Sequence, residues 1–434
     1  MIDYNFTYFG NSMSYAIQKK EGIELNRFYE NDQSIHDWYR FVLSFPPHLV
    51  RNYIEKFNLN TDSCILDPFS GTGTTLVEAK KLRIQSIGVE ANPVAHLAAQ
   101  TKVNWHVNTQ RLLYYARCIA TTAREKLIAY GDSYLTLNQE EEKLLIKNSI
   151  SPLPLHKALV LLGAITQNYH SDYDDLFKVA FAKQVVFRAS NLHFGPEVGV
   201  SRKKRFDADI INLWMEQVER MASDIESYSN NSSVYSYVYS ADSREISKIL
   251  QPDSIDAVIT SPPYPNEKDY TRTTRLESVL LGFIRSRDDL RKFKQRLLRS
   301  NTRNVYKGDD DDNWVTHNKN IDNIAINIEK RRVELGKTSG FEKLYHKVVR
   351  LYFGGMARHL EEMKPILKNG AKLAYVVGDQ ASYFRTPIRT GYLLADIATD
   401  LGYTVIDIEL FRTRISTVTK EKLREEVLIL KWNN

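Results

Sequence analysis

The stretch Asp67-Pro68-Phe69-Ser70-Gly71-Thr72-Gly73-Thr74-Thr75 lies between a short apolar run, Ser63 to Leu66, and a helical pattern from about Thr75 to Leu82. Glycine lets a backbone take positive φ and lets a ligand approach closely. A glycine turn between strand and helix commits the chain to an open α/β sheet with a crevice at its strand ends. The next strand, Gln85 to Val89, ends in Glu90, and Asn92-Pro93 opens another helix. An acid about twenty residues beyond such a turn can accept both hydroxyls of a ribose.

The turn is not a phosphate loop. It lacks the Gly-Lys-Ser/Thr ending and keeps an acid, Asp67, beside the ligand. A carboxylate repels a pyrophosphate but attracts an ammonium or a sulfonium. The pattern therefore favours S-adenosylmethionine over a nucleotide phosphate.

A second motif follows the buried-type strand Asp256 to Thr260. It is Ser261-Pro262-Pro263-Tyr264. Two prolines fix the backbone and remove two donors. The Ser261 hydroxyl and the Pro262 carbonyl are then free to accept, and Tyr264 offers a flat face. Such a set suits a planar group with an exocyclic amine. Once its two hydrogens are held, the nitrogen loses conjugation with the ring and its lone pair can attack a methyl sulfonium.

Together these residues resemble the amino-methyltransferases that act on DNA. Asp67 to Thr75 is similar to their S-adenosylmethionine motif. Ser261-Pro262-Pro263-Tyr264 is similar to their catalytic motif in its cytosine-N4 form, whereas the adenine-N6 relatives more often carry Asp or Asn at the first position. Phe45-Pro46-Pro47-His48-Leu49 resembles the motif that opens a helix ahead of the glycine turn and contacts the methionine part of the cofactor. Asp242 matches the acid after the third strand that meets the adenine amine, and Gly378-Asp379 the end of the fifth strand. Neither Cys64 nor Cys118 follows a proline, so the covalent chemistry of the C5-cytosine enzymes is excluded.

The resemblance implies a Rossmann-like class I methyltransferase sheet of seven strands, its last hairpin antiparallel, with a large helical insertion. It implies cofactor contacts at Pro46, Asp67, Pro68, Phe69, Gly71, Gly73, Thr74, Thr75, Glu90 and Asp242. Catalysis falls to Ser261, Pro262, Pro263 and Tyr264. The implied activity is site-specific methylation of N4 on a flipped-out cytosine, within a restriction-modification or related defence system. Adenine N6 in DNA is the first alternative, and an RNA base amine the second.

Several departures shape the expected domains. Residues 1–35 read as an irregular arm, and 36–105 as the first part of the methyltransferase domain. Residues 106–232 read as an inserted helical subdomain and candidate recognition element. Residues 233–434 complete the sheet, with a basic insertion at about 265–345. Within these, His36 to Phe57 carries a helical pattern through Trp38, Phe41 and Val42, and Asp309 to Asp312 reads as a solvated loop.

The 59 Lys and Arg exceed the 53 Asp and Glu by 6, which permits a polyanionic partner without demanding one. The basic residues cluster. Arg285, Arg287, Arg291, Lys292, Lys294, Arg296, Arg299 and Arg303 follow the catalytic motif, and Arg202-Lys203-Lys204-Arg205 stand beside Gly195 and Gly199. Phosphate binding needs such clusters near the pocket. The expected contacts to double-stranded DNA are Arg202, Lys203, Lys204, Arg291 and Arg299, with Asp269, Tyr270, Arg272 and Arg275 lining the cleft. A cognate restriction endonuclease is the other expected partner. The histidines show no metal-ligand spacing, and methyl transfer from a sulfonium needs no metal. Two cysteines, a polar start and no long apolar run point to an intracellular protein, and the resemblance implies a prokaryotic cytoplasm with nucleoid association when bound to DNA.

Overall fold

Short aliphatic runs separated by helices assemble one seven-stranded sheet in the computed structural model, which describes residues 25–41, 44–195, 197–266, 268–415 and 422–434. Its strands are β1 (Cys64–Asp67), β2 (Gln85–Val89), β3 (Ser236–Tyr239), β4 (Ile255–Thr260), β5 (Leu367–Gly378), β6 (Thr404–Ile415) and β7 (Lys422–Lys431). Their spatial order is β3-β2-β1-β4-β5-β7-β6. The first five run parallel. β7 lies antiparallel between β5 and β6. This is the Rossmann-like class I methyltransferase sheet, with the expected antiparallel end hairpin.

The order reverses between β1 and β4. From β1 the chain builds outward through β2 and β3, then returns to place β4 on the other flank of β1. Open α/β sheets bind ligands at such a switch point, beyond the carboxyl ends of the strands.

Side chains along a strand alternate between faces. Leu66, Val258, Leu373, Tyr375 and Val377 pack on the helices Tyr345–Met363 and Thr390–Asp400. Ile65, Ala257, Ile259, Ala374 and Val376 meet Leu49, Val50, Tyr53 and Ile54 of the helix Pro47–Lys56 on the opposite face.

That helix starts later than the expected His36. From His36 to Pro46 the described residues form a single turn, His36–Trp38. Residues that precede a proline avoid the helical region, and Pro47 itself sits in the first turn. The apolar residues Trp38 and Tyr39 are buried without being helical. Val42 and residues 1–24 of the expected arm lie outside the described residues.

The segment 106–232 is mainly helical, through Thr109–Tyr130, Pro152–Gln167, Asp174–Gln184 and Ile210–Ser227. It also holds an antiparallel hairpin, Leu192–Phe194 with Val198–Val200. Leu112, Ala116, Ile119 and Trp214 share one apolar cluster with Leu76, Val77, Val94 and Ala98 of the helices beside β1 and β2. No helix among the described residues is long and apolar enough to cross a membrane.

Asp309 to Asp312 is not the expected solvated loop. Arg299 pairs with Asp309 at 2.8 Å, and Arg244 reaches Asp311 at 2.5 Å. The backbone here presses on the helix Tyr345–Met363, where a Cβ added at Gly354 would lie 1.8 Å from the Asp311 carbonyl oxygen. Gly to Ala in an exposed helix gains about 1 kcal/mol. Here the clash is with backbone, and overpacking costs about 1–3 kcal/mol or more. Gly354→Ala should therefore lower the thermal midpoint. A raised midpoint would mean that the Asp311 loop does not rest on this helix.

Candidate active site

β1 and β4 run side by side, with Ile65 opposite Ala257 and Leu66 opposite Val258. Their last residues, Asp67 and Thr260, meet. Thr260 Oγ1 donates to Asp67 Oδ1 at 2.6 Å, and the Phe69 backbone N–H donates to the same oxygen at 3.2 Å. Asp67 Oδ2 is buried and receives no hydrogen bond among the described residues. Burial raises the Asp67 carboxyl to about 6, against the hydroxyls of Thr260 and Thr75 and the Phe69 N–H.

The two glycines of the turn do different work. Gly71 has φ +50°, and a Cβ there would meet nothing within 4 Å, so its outer face is open to a ligand. Gly73 has φ +85°, and a Cβ would stand 3.1 Å from Ala99, so it lets the turn pack on the helix Pro93–Val103. The Gly71 N–H donates to Glu90 Oε2 at 2.8 Å, and Asn92 N–H to Oε1 at 2.7 Å. Burial still lifts Glu90 to about 7, against those N–H donors, with the charge of Asp67 adding to the rise.

The segment Ser261-Pro262-Pro263-Tyr264 lies across the switch point. Ser261 Oγ donates its one proton to the Val376 carbonyl at 3.2 Å. Its lone pairs therefore remain as acceptors. Tyr264 packs against the end of β5, where a Cβ at Gly378 would come within 2.8 Å of its ring. Burial and the charge of Glu425 push the Tyr264 hydroxyl above its ordinary range, so it stays neutral.

Known proteins resemble this sequence. The DNA methylase model for N6 and N4 enzymes matches residues 5–101. The chain is similar to the type II methyltransferase M.BsoBI of Geobacillus stearothermophilus, 26% identical over 430 residues covering 88% of this chain and 81% of that protein. M.AvaI, a type II methyltransferase of Nostoc sp. and of Anabaena variabilis, is 24% identical over 407 residues, covering 85% and 79%.

The family's methyl donor is S-adenosyl-L-methionine. The orphaned Asp67 Oδ2 fits it, because a buried carboxylate oxygen without a donor suits an ammonium. Glu90 and the open face of Gly71 stand beside it for the ribose. Among the described residues no group of three or more His, Cys, Asp or Glu could hold a metal ion.

Several expected contacts are structural instead. Thr75 Oγ1 donates to the Ile259 carbonyl at 3.0 Å and ties the turn to β4. Asp242 was assigned to the adenine amine. Its carboxylate instead takes the Arg244 guanidinium at 2.6 and 3.0 Å and the Arg244 N–H at 2.9 Å. Pro46 and Pro68 are buried, Pro46 as the residue capping the helix Pro47–Lys56. Thr74 is buried in the first turn of its helix. Phe69 lies edge-on to His359, 4.8 Å between centroids.

The cleft residues divide likewise. Asp269 caps the turn Tyr270–Thr273 and pairs with Lys294 at 3.1 Å. Arg275 donates to Thr271 O and Leu144 O, both at 3.2 Å, and binds the insert to the segment after the motif. Arg299 is buried against Asp309 and the carbonyls of Lys294 and Gln295. These three brace the fold and are not free for DNA. Tyr270 and Arg272 are half-buried near the motif, and Arg272 Nε has no hydrogen-bond partner among the described residues. Arg291, Arg202 and Lys203 are exposed, and Lys204 donates to Ser201 O at 2.6 Å.

Two supports escaped the sequence reading. His359 Nδ1 meets the Ser243 carbonyl at 3.0 Å, and Nε2 meets Tyr375 Oη at 2.8 Å. Burial lowers it to about 4, so the neutral ring spans the Asp242 loop and Phe69. Lys102, buried in an apolar helix, donates to the carbonyls of Thr72 and Tyr39 behind the turn. Its one visible signal is a lysine on an otherwise apolar face.

Two expectations follow. Asp67 and Glu90 titrate above ordinary carboxylates, so the ligand-free fold loses stability as pH rises from about 4 through 7. A cationic cofactor needs the ionised Asp67. Its affinity should rise about tenfold between pH 5 and pH 8 by calorimetry, and Asp67→Asn should flatten that profile. An affinity independent of pH in the wild type would remove Asp67 from the site.

The second concerns Gly378. Gly378→Ala should displace Tyr264 and lower kcat/KM for methyl transfer by about 100-fold. Cofactor affinity should hold. Loss of cofactor binding instead would show that β5 had been disrupted as a whole.

Proposed function

We propose that the chain is a type II DNA methyltransferase that methylates the exocyclic N4 of a flipped-out cytosine. One observation carries this reading. Ser261, its only proton committed to Val376, stands as an acceptor beside Tyr264, across the switch point from the orphaned carboxylate of Asp67.

Inside a duplex the cytosine amine is paired and stacked, so the base must leave the helix. Ser261 Oγ and the Pro262 carbonyl take the two amine hydrogens, and Tyr264 stacks on the ring. Held this way, the nitrogen turns its lone pair out of conjugation. Bound S-adenosylmethionine supplies an electrophilic methyl group on a sulfonium. The amine needs no strong base before attack, because its proton becomes acidic once the methyl has arrived. Positioning supplies most of the acceleration. The type II relatives support a role beside a cognate restriction endonuclease, on the nucleoid of a prokaryotic cell.

Mass spectrometry of nucleosides from DNA of expressing cells tests this. N4-methylcytosine should appear with the intact protein and vanish with Ser261→Ala, Tyr264→Ala. N6-methyladenine in its place would overturn the base assignment and keep the chemistry. No modified DNA base from a protein that still binds cofactor would overturn DNA as the substrate.

A further inference from the structure

Asn191 is buried at the base of a loop and holds it from several sides. Its backbone N–H donates to Ser149 O at 2.6 Å, and its side-chain amide to Asn148 O and Ser151 Oγ, both at 3.1 Å. Its backbone carbonyl accepts from Ser201 N at 2.8 Å, and its Oδ1 from Arg205 N at 2.7 Å. One residue thus clasps 191–205 at both ends, with the hairpin Leu192–Phe194 and Val198–Val200 inside. The chain enters through a π-helical turn, Val185–Ala189, a form that recurs at functional sites.

The loop and its entry carry five basic residues against one acid, Glu197. Arg188, Arg202, Lys203 and Arg205 are exposed, and no carboxylate pairs with any of them among the described residues. The other basic segment is more heavily neutralised, although Arg287 and Arg291 are exposed there without an ion pair among the described residues. Lys292, Lys294 and Arg299 pair with Asp288, Asp269 and Asp309, and Arg296 donates to the Ser240 carbonyl. Solvent-facing cations on a fixed backbone, with no carboxylate partner, are open to an outside anion.

The loop also stands near the chemistry. Phe187 lies 5.4 Å from the Phe194 ring and 6.2 Å from the Tyr39 ring, and the Tyr39 hydroxyl donates to Glu277 in the helix Arg275–Leu280. That helix follows the catalytic motif closely.

We propose that residues 188–205 form a preformed finger that grips the phosphate backbone of duplex DNA beside the target base, through Arg188, Arg202 and Lys203. The proposal rests on DNA being the substrate. Each phosphate neutralised on B-DNA adds about 0.9 to the slope of log Kobs against log salt.

Fluorescence anisotropy with the full chain and a labelled random duplex of about 30 base pairs, across a potassium chloride series, reads that slope. The variant Arg188→Ala, Arg202→Ala, Lys203→Ala should shed about 2–3 units of slope and bind at least about tenfold more weakly at low salt. Lys203→Glu alone should shed about 1 unit, which keeps the test open if the triple variant folds poorly. The variant Arg287→Ala, Lys292→Ala should keep the wild-type slope. A wild type that binds duplex while the finger variants keep its slope overturns the finger alone. A loss of slope confined to Arg287→Ala, Lys292→Ala overturns it in favour of the other basic segment. A wild type that binds no duplex at any salt overturns the DNA reading and the finger together.

Discussion

The hydrogen bond from Thr260 to Asp67 joins the two halves of the site. It links the last residue of β4 to the last residue of β1, at the point where the strand order reverses. The glycine turn leaves one of these strands and the catalytic motif leaves the other. Thr75, donating to Ile259 O, makes a second tie between the same pair. The glycine turn and the Ser261-to-Tyr264 motif are therefore set by one rigid strand pair, and groups on rigid elements keep their alignment. The same bond leaves the second oxygen of Asp67 without a donor, so the geometry that fixes the strands also leaves a charge waiting for a ligand.

Two carboxylates buried side by side oppose folding, and the protein surrounds them with fixed support. Glu90 is held by backbone N–H groups of the turn and of the next helix. Lys102 closes the turn from behind, and His359 stands between Phe69 and the loop after β3. These groups act at a distance from any substrate. Their role is to fix where the acids and the aromatic ring stand.

The two insertions are built into the fold. Helices of the first share a core with the helices beside β1 and β2, and Arg275 ties Leu144 to the segment beyond the catalytic motif. The second is braced by acid and arginine pairs, with Asp311 seated over Gly354. Runs of like charge suggest solvated loops when read alone. Here the chain pairs acid with base over long separations, which a local pattern does not reveal.

The sequence by itself determined the sheet, the glycine turn, the acid after β2 and the proline-rich motif, because each depends on neighbours along the chain. Glycines at Gly71 and Gly73, prolines beside Tyr264 and an acid at a strand end keep their meaning in any tertiary setting. The tertiary structure alone decided which charges are free. Asp242 went to Arg244, Arg299 to Asp309 and Asp269 to Lys294, while Arg202 and Lys203 stayed open. A charged side chain in the interior takes whichever opposite charge the packing brings near, since leaving it unpaired costs several kcal/mol. Asp242 finds its partner two residues along, but the partners of Asp269 and Arg299 are brought in by packing, and no regular spacing in the sequence records them.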